Sequence, residues 1–370
     1  MPALTLNYLG QGALALADPS SVANPFFLMA PEVLRPALVV LATAATIIAS
    51  QAVISGAFSL TQQAIQLGFL PRLRILQTSD HHAGQIYMPQ VNYLLMAGVI
   101  FLVVAFRTSS GLASAYGIAV IGTMITSSVL AIVAIRKVWR WPLWASIAMV
   151  APFLVIEAIF LASNSLKLAS GGFAPLLIAA ACITIMWTWT RGARLLAEQT
   201  KRETSLVSLF ETLSHAAPPK VRGTAVFLTA DPEAAPAALM HNLKHNQVLH
   251  ESIIILTVKI DPAPHVPDSE IVAIDSVLPN VKRVTLTFGY RDTPNVGRAL
   301  SFARKQGLAF DVMTTSFFVS RRSIMPSSRS GMPLWQDYLF IFLARNAADA
   351  TEFFHIPVSR VVELGNQVTV

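Results

Sequence analysis

The sequence predicts a polytopic α-helical membrane region followed by an α/β domain. Two observations carry this. Of 370 residues, 54% are hydrophobic and 13% charged, and soluble domains carry about 25% charged residues. The second is where the apolar runs fall. A helix needs about 20 apolar residues to span a bilayer, and the runs of that length all lie in the first half. The second half reads as an ordinary soluble domain. The expected division is residues 1–192 as membrane region, 193–219 as linker and 220–370 as α/β domain.

The membrane region reads as one partial helix and five full spans. Met1 to Leu16, rich in Gly and Ala, is the partial one. The spans are Pro36–Phe58, with its helix continuing to Leu67, then Gln90–Phe106, Gly111–Ile135, Trp141–Ala162 and Phe173–Trp189. Arg107 marks the end of the short second span. Connections alternate in charge. Arg72, Arg74, His81 and His82 follow the first span, Arg136, Lys137 and Arg140 the third, and Arg191, Arg194, Lys201 and Arg202 the fifth. Arg107 alone follows the second span and Lys167 alone the fourth, which places Lys167 at the outer surface. Strongly basic connections mark the cytoplasmic side, so the α/β domain is expected there too. Trp139, Trp141, Trp144, Trp187 and Trp189 cluster at the expected interfaces, as aromatic belts do.

Residues 200–219 form a polar connector. Strands rich in β-branched residues follow at Gly223–Thr229, Ser252–Lys259, Arg283–Tyr290, Ser316–Ser320 and Val361–Val370. Helices are expected at Ala235–Asn242, Val296–Gln306 and Leu334–Arg345, the second capped by Asn295 or Thr293.

Several chemistries find no support. The single Cys182 permits no disulfide within the chain. The net charge of +7 is explained by basic residues beside membrane segments, without a nucleic-acid partner. Met1 opens no signal peptide: a basic n-region and a cleavage site are both lacking. No glycine-rich phosphate loop, GxSxG or nucleophile–base set is present, so no enzyme is expected. His241 and His245 have the i, i+4 spacing of a helical zinc pair, but no third ligand stands out, and His81-His82 is a loop pair.

The oxygen-bearing residues of the spans are the candidates for chemistry. Gln51, Ser55, Ser59 and Gln62 form one polar face of the first span; it is either a hydrogen-bonded seam between helices or the wall of a path. The third span is the richest, with Ser114, Tyr116, Gly117, Gly122, Thr123, Thr126, Ser127 and Ser128. Tyr116 and Thr123 are seven apart and share a face. Hydroxyls and carbonyls can replace an ion's hydration shell, or they can simply pack helices. Glu157 is the one acid inside an expected span. It is a candidate for coupling or ion access, or a structural partner to a neighbouring helix.

The run from Ser50 to Arg72, SQAVISGAFSLTQQAIQLGFLPR, followed by Thr78-Ser79 and Gly84-Gln85-Ile86-Tyr87-Met88-Pro89, resembles the bacterial Kup potassium uptake proteins of the KUP/HAK/KT family. So do Leu6-Asn7-Tyr8-Leu9-Gly10-Gln11-Gly12-Ala13, Asn24-Pro25-Phe26-Phe27 and Ala115-Tyr116-Gly117-Ile118-Ala119-Val120. In the tail the resemblance rests on Gly223–Thr229, His241–Asn246 and Arg360–Gly365. Gln77 stands where the family usually has His, and Glu157 where it commonly has Asp.

The resemblance implies potassium transport, as low-affinity potassium:proton symport at the bacterial inner membrane, with the α/β domain cytoplasmic. Potassium is the cargo and the proton the coupling ion; no cofactor is expected. Tyr116 becomes the candidate potassium contact, with Thr123, Glu157, Gln51 and Ser55 along the pathway. The implied membrane fold is the inverted-repeat amino acid–polyamine–organocation type. The chain aligns from partway through the family's seventh helix onward. It is therefore expected to be the C-terminal part of a transporter, to need the missing N-terminal helices as partners beside the lipid bilayer, and to be unable to transport alone. A homodimer through the α/β domain is also expected. The alternative is a membrane-anchored regulatory or ligand-sensing module without transport of its own.

Overall fold

The computed structural model describes residues 2–77, 86–166, 168–200, 205–216, 218–308, 311, 314–326 and 331–369. The expectations placed on His81-His82, on Thr78-Ser79, on Gly84-Gln85, on Lys167 and on Lys201 and Arg202 lie outside the described residues. The chain divides into two units, Met1–Leu60 with Gln77–Tyr87, and Thr61–Leu76 with Met88–Val370.

In the first unit, α1 spans Pro2–Ala17 and the short α2 spans Pro25–Leu28. The long α3, Arg35–Gln66, supplies its first 26 residues here. Its hydroxyls survive in an apolar helix by turning back on their own backbone. Thr43 donates to the Val39 carbonyl and Thr46 to the Ala42 carbonyl, both at 2.8 Å, which pairs these two hydroxyl protons within the helix. Two short strands follow, β1 (Leu76–Gln77) and β2 (Ile86–Tyr87). Tyr87 packs edge-on against buried Phe58, ring centroids 5.8 Å apart.

The second unit holds four more membrane-length helices: α4 (Pro89–Phe106), α5 (Ser109–Val138), α6 (Leu143–Ser165) and α7 (Phe173–Thr200). With α3, the described residues contain five helices long and apolar enough to cross a membrane. Arg107 ends α4 in the left-handed region, φ 55°, where the expected boundary lay. The last helix differs from its expectation. It runs 28 residues to Thr200, about 42 Å, well beyond Trp189 and longer than the ~30 Å hydrocarbon core.

The α/β part begins earlier than the sequence suggests. The stretch read as a linker contains α8, Leu206–Ala216. Leu206, Leu209 and Phe210, an i, i+3, i+4 set, are buried in the core of the sheet domain. Polar residues dilute that apolar stripe and hid it. The sheet comprises β3 (Lys220–Thr229), β4 (Leu249–Asp261), β5 (Val272–Leu278), β6 (Val281–Gly289), β7 (Thr315–Met325) and β8 (Val361–Thr369). Its order is β5-β6-β4-β3-β7-β8, parallel except for β5 against β6. The helices are α9 (Ala237–Asn246), α10 (Val296–Lys305), α11 (Leu334–Arg345) and α12 (Ala350–Phe353). Asn295 caps α10, accepting from Arg298 N at 2.9 Å. The strand β5 went unread because it is an edge strand, largely exposed, with the polar Asp275 and Ser276 interrupting its apolar pattern.

Both faces of the sheet are covered, so its central strands read as nearly unbroken apolar runs. Successive residues still serve opposite sides. Val226, Ile254, Leu256 and Phe317 pack with α10 residues Ala299 and Leu300. Ala225, Phe227, Ile253, Ile255 and Phe318 pack with α8 and α9. Phe227 stacks on Phe318, centroids 4.8 Å apart.

Two sets of contacts fasten this domain to the ends of the membrane helices. At α7, Arg191 Nη2 donates to the Gly331 carbonyl at 2.7 Å and Nη1 to Gln336 Oε1 at 3.3 Å. Trp189 packs against buried Phe340, centroids 5.3 Å apart. At the last residue of α3, Gln66 Nε2 donates to the Asp292 carbonyl at 2.7 Å, and in the connection after it the Arg72 carbonyl accepts from Ala348 N at 2.6 Å. Arg72 lies over the Phe354 ring, and Arg74 pairs with Glu352 at 2.8 Å. Arg72, Arg74 and Arg191, which mark orientation in the sequence, thus also have defined partners.

Candidate functional site

Helices α5 and α6 run antiparallel around a turn whose Arg140 has φ 57°. Polar side chains touch the facing helix at two levels. At one end the Asn164 side-chain oxygen rests against Gly117, so close that a Cβ there would meet it at 2.6 Å. Asn164 is held in place by donating Nδ2 to the Phe160 carbonyl at 3.0 Å. Eleven residues along α5, about 16 Å, Ser128 Oγ donates to Glu157 Oε1 at 2.8 Å.

Between these contacts an open groove of about 470 Å³ follows the α5 face, lined by Tyr116, Thr123, Ser127, Ser128 and Glu157 among apolar Ala119, Val120 and Met124. Tyr116 is 71% exposed. Thr123 Oγ1 donates its proton to the Ala119 carbonyl at 3.0 Å, so its lone pairs remain to accept. Glu157 is only 5% exposed, and its Oε2 has no hydrogen-bond partner among the described residues. A buried carboxyl oxygen without a partner is costly in an apolar setting, and a polar group held inside a span at that cost is a candidate for function. The groove can therefore offer a phenol, hydroxyls and a carboxyl to a dehydrated ion or a proton.

Three of the expected site residues, Tyr116, Thr123 and Glu157, thus share one groove. Gln51 and Ser55 belong to the first unit, where both side chains are exposed and Ser59 Oγ donates to the Ser55 carbonyl at 3.1 Å. Sequence reasoning named Ser128 without its bond to Glu157, and it missed Asn164. The i, i+11 pairing of Gly117 and Ser128 along one face was the available signal.

Outside the membrane helices, His241 and His245 stack with ring centroids 5.9 Å apart. Among the described residues no group of three or more metal-ligating side chains occurs.

Residues 1–194 match the family model of the K+ potassium transporter integral membrane domain, and residues 222–370 that of the K+ potassium transporter C-terminal domain. The chain is similar to the probable potassium transport system protein Kup 3 of a Bradyrhizobium species, 54% identical over 371 residues, covering 100% of this chain and 58% of the relative. It is also similar to the probable potassium transport system protein Kup of Caulobacter vibrioides, 53% identical with 100% and 57% covered, and to that of Rhizobium rhizogenes, 52% identical with 100% and 59% covered. The chain thus spans somewhat less than three fifths of the length of these curated relatives. With both models matched in order, the chain belongs to the K+ potassium transporter family.

Proposed function

We propose that this chain is the C-terminal part of a permease that moves potassium across the bacterial inner membrane as a low-affinity potassium:proton symporter. The observation that carries the reading is the α5–α6 groove, in which the unpaired Glu157 oxygen lies with Tyr116 and Thr123. Tyr116 and Thr123 supply neutral oxygen ligands, and Glu157 exchanges the coupling proton. Gln51 and Ser55 line a further stretch of the path. The membrane helices form part of an inverted-repeat fold of the amino acid–polyamine–organocation type, and the remaining N-terminal helices complete the ion site. The alternation of basic connections supports a cytoplasmic α/β domain. Among the described residues β8 is an edge strand of that domain's sheet, the surface a homodimer through it would use.

Rubidium uptake tests this in cells lacking their own potassium uptake. The chain is expressed alone, and together with the N-terminal part of the Bradyrhizobium relative that it does not cover. Flux is expected from the pair and not from the chain alone. Tyr116→Phe lowers it, and Glu157→Gln removes its dependence on the proton gradient. Flux unaffected by either substitution overturns the site. Flux from the chain alone overturns the need for further helices.

A further inference from the structure

We propose that α11 is a membrane-surface helix, and that its exposed face inserts into the bilayer boundary beside the end of α7. The helix is amphipathic with an unusual outer face. Gln336, Asp337, Phe340 and Ile341 are buried in the protein. The outward positions Leu334, Trp335, Tyr338 and Phe342 are each more than half exposed. At i, i+1, i+4 and i+8 they form one stripe, closed at its C-terminal end by exposed Arg345. Four large apolar or aromatic side chains in a row on a soluble surface mark a contact.

The position of the helix identifies the occupant as lipid. Its inner side is fastened to α7 at Trp189, Arg191 and Gly192. From Phe173 to Trp189 the rise is about 24 Å, and to Arg191 about 27 Å, against a hydrocarbon core of about 30 Å. The attachment therefore lies where α7 leaves the hydrocarbon, at the depth that Trp and Tyr favour. Past its C-terminal end the chain is fastened again, by Ala348 N to the Arg72 carbonyl, six residues beyond α3. Attachment near both ends holds an element of about 18 Å along the boundary. Its chemistry suits that place: Trp335 and Tyr338 present apolar rings with a polar atom each, Leu334 and Phe342 are purely apolar, and Arg345 can meet headgroup phosphates.

The test uses the full chain in lipid nanodiscs. In a Cys182→Ala background, Tyr338→Cys and Phe342→Cys carry a bimane label, with Ser276→Cys on exposed β5 as the reference. Nanodisc lipids bear a nitroxide near the headgroup, and a water-soluble nickel chelate probes aqueous access. Lipid quenching severalfold stronger at 338 and 342 than at 276, with weak nickel quenching, is the expected result. Strong nickel quenching at all three positions overturns the proposal. So does shielding from both quenchers, which would mean that a second copy or the relative's N-terminal part covers the face. Should a cysteine variant not purify, quenching of native tryptophan by brominated lipid serves. The lipid-quenched emission of the unlabelled chain should fall in Trp335→Phe, and an unchanged value overturns the proposal.

Discussion

Substituting Gly192 by Ala should loosen the junction between α7 and α11. A methyl group at this position would meet the Phe340 ring at Cγ, Cδ2 and Cε2, with Cγ and Cε2 at 2.6 Å, where ordinary contact begins at 3.4 Å. The ring has little room to retreat. It is 1% exposed and packed with Met332, Trp189, Leu195, Leu196 and Ile324. Overpacking a site of this kind costs about 1–3 kcal/mol. The displaced ring would also weaken its pairing with Trp189, an arrangement worth about 0.5–1.5 kcal/mol beyond burial. Taking the overpacking term alone, at about 1.4 kcal/mol per factor of ten, local opening of α11 becomes about 5- to 150-fold more frequent. Hydrogen exchange of the full chain in nanodiscs, followed by mass spectrometry, reads this as lost amide protection in α11, with α9 as internal reference. In a Phe340→Ala background the sign should reverse, because the new methyl fills a cavity instead of striking a ring. Unchanged protection in α11, or an equal loss in α9, would refute the reasoning.

Ser128→Ala leaves both Glu157 oxygens without a partner among the described residues and should cost about 1–3 kcal/mol, whereas adding Glu157→Leu to it should recover part of that loss; thermal unfolding midpoints in detergent of the parent chain, each single variant and the double variant measure the coupling. Burial holds the His250 imidazole below its ordinary 6.5, with Nδ1 lacking a partner among the described residues and the ring edge-on to Phe318 at 5.6 Å. The unfolded chain therefore binds the proton first as pH falls, so this contribution to stability is full above pH 6.5 and is lost as pH drops from 6.5 through the lowered folded-state value. Denaturant unfolding of the chain between pH 7.5 and pH 5 should show that slope, and His250→Leu should flatten it.

The elements legible in the sequence are those whose signal is local. The apolar run ending at Phe106 and the break at Arg107 coincide with α4, and the expected Leu334–Arg345 helix is α11 residue for residue. Where a tertiary contact decides, the sequence is silent. The α8 stripe of Leu206, Leu209 and Phe210 reads as a polar connector until the sheet that buries it is present. Periodicity placed Tyr116 and Thr123 on one face of α5, but it cannot say that Glu157 of α6 meets Ser128 of that same helix. Arg72, Arg74 and Arg191 read as orientation charges, because their partners lie too far along the chain for any local pattern to connect them.

The fastening of the connection after α3 to the far end of the chain also bears on biogenesis. Gln66 and its acceptor Asp292 are 226 residues apart. At synthesis rates of 5–20 residues per second, the end of α3 waits about 10–45 s for that carbonyl to emerge. The pairing of Arg74 with Glu352 comes later still. Until then the amide of Gln66 and the charges of Arg72 and Arg74 depend on water and lipid headgroups. A stalled ribosome or an early stop would leave them so, with all five membrane-length helices made and the domain that engages them absent. Such a product inserts but lacks these contacts, and quality-control proteases would find its open connection first.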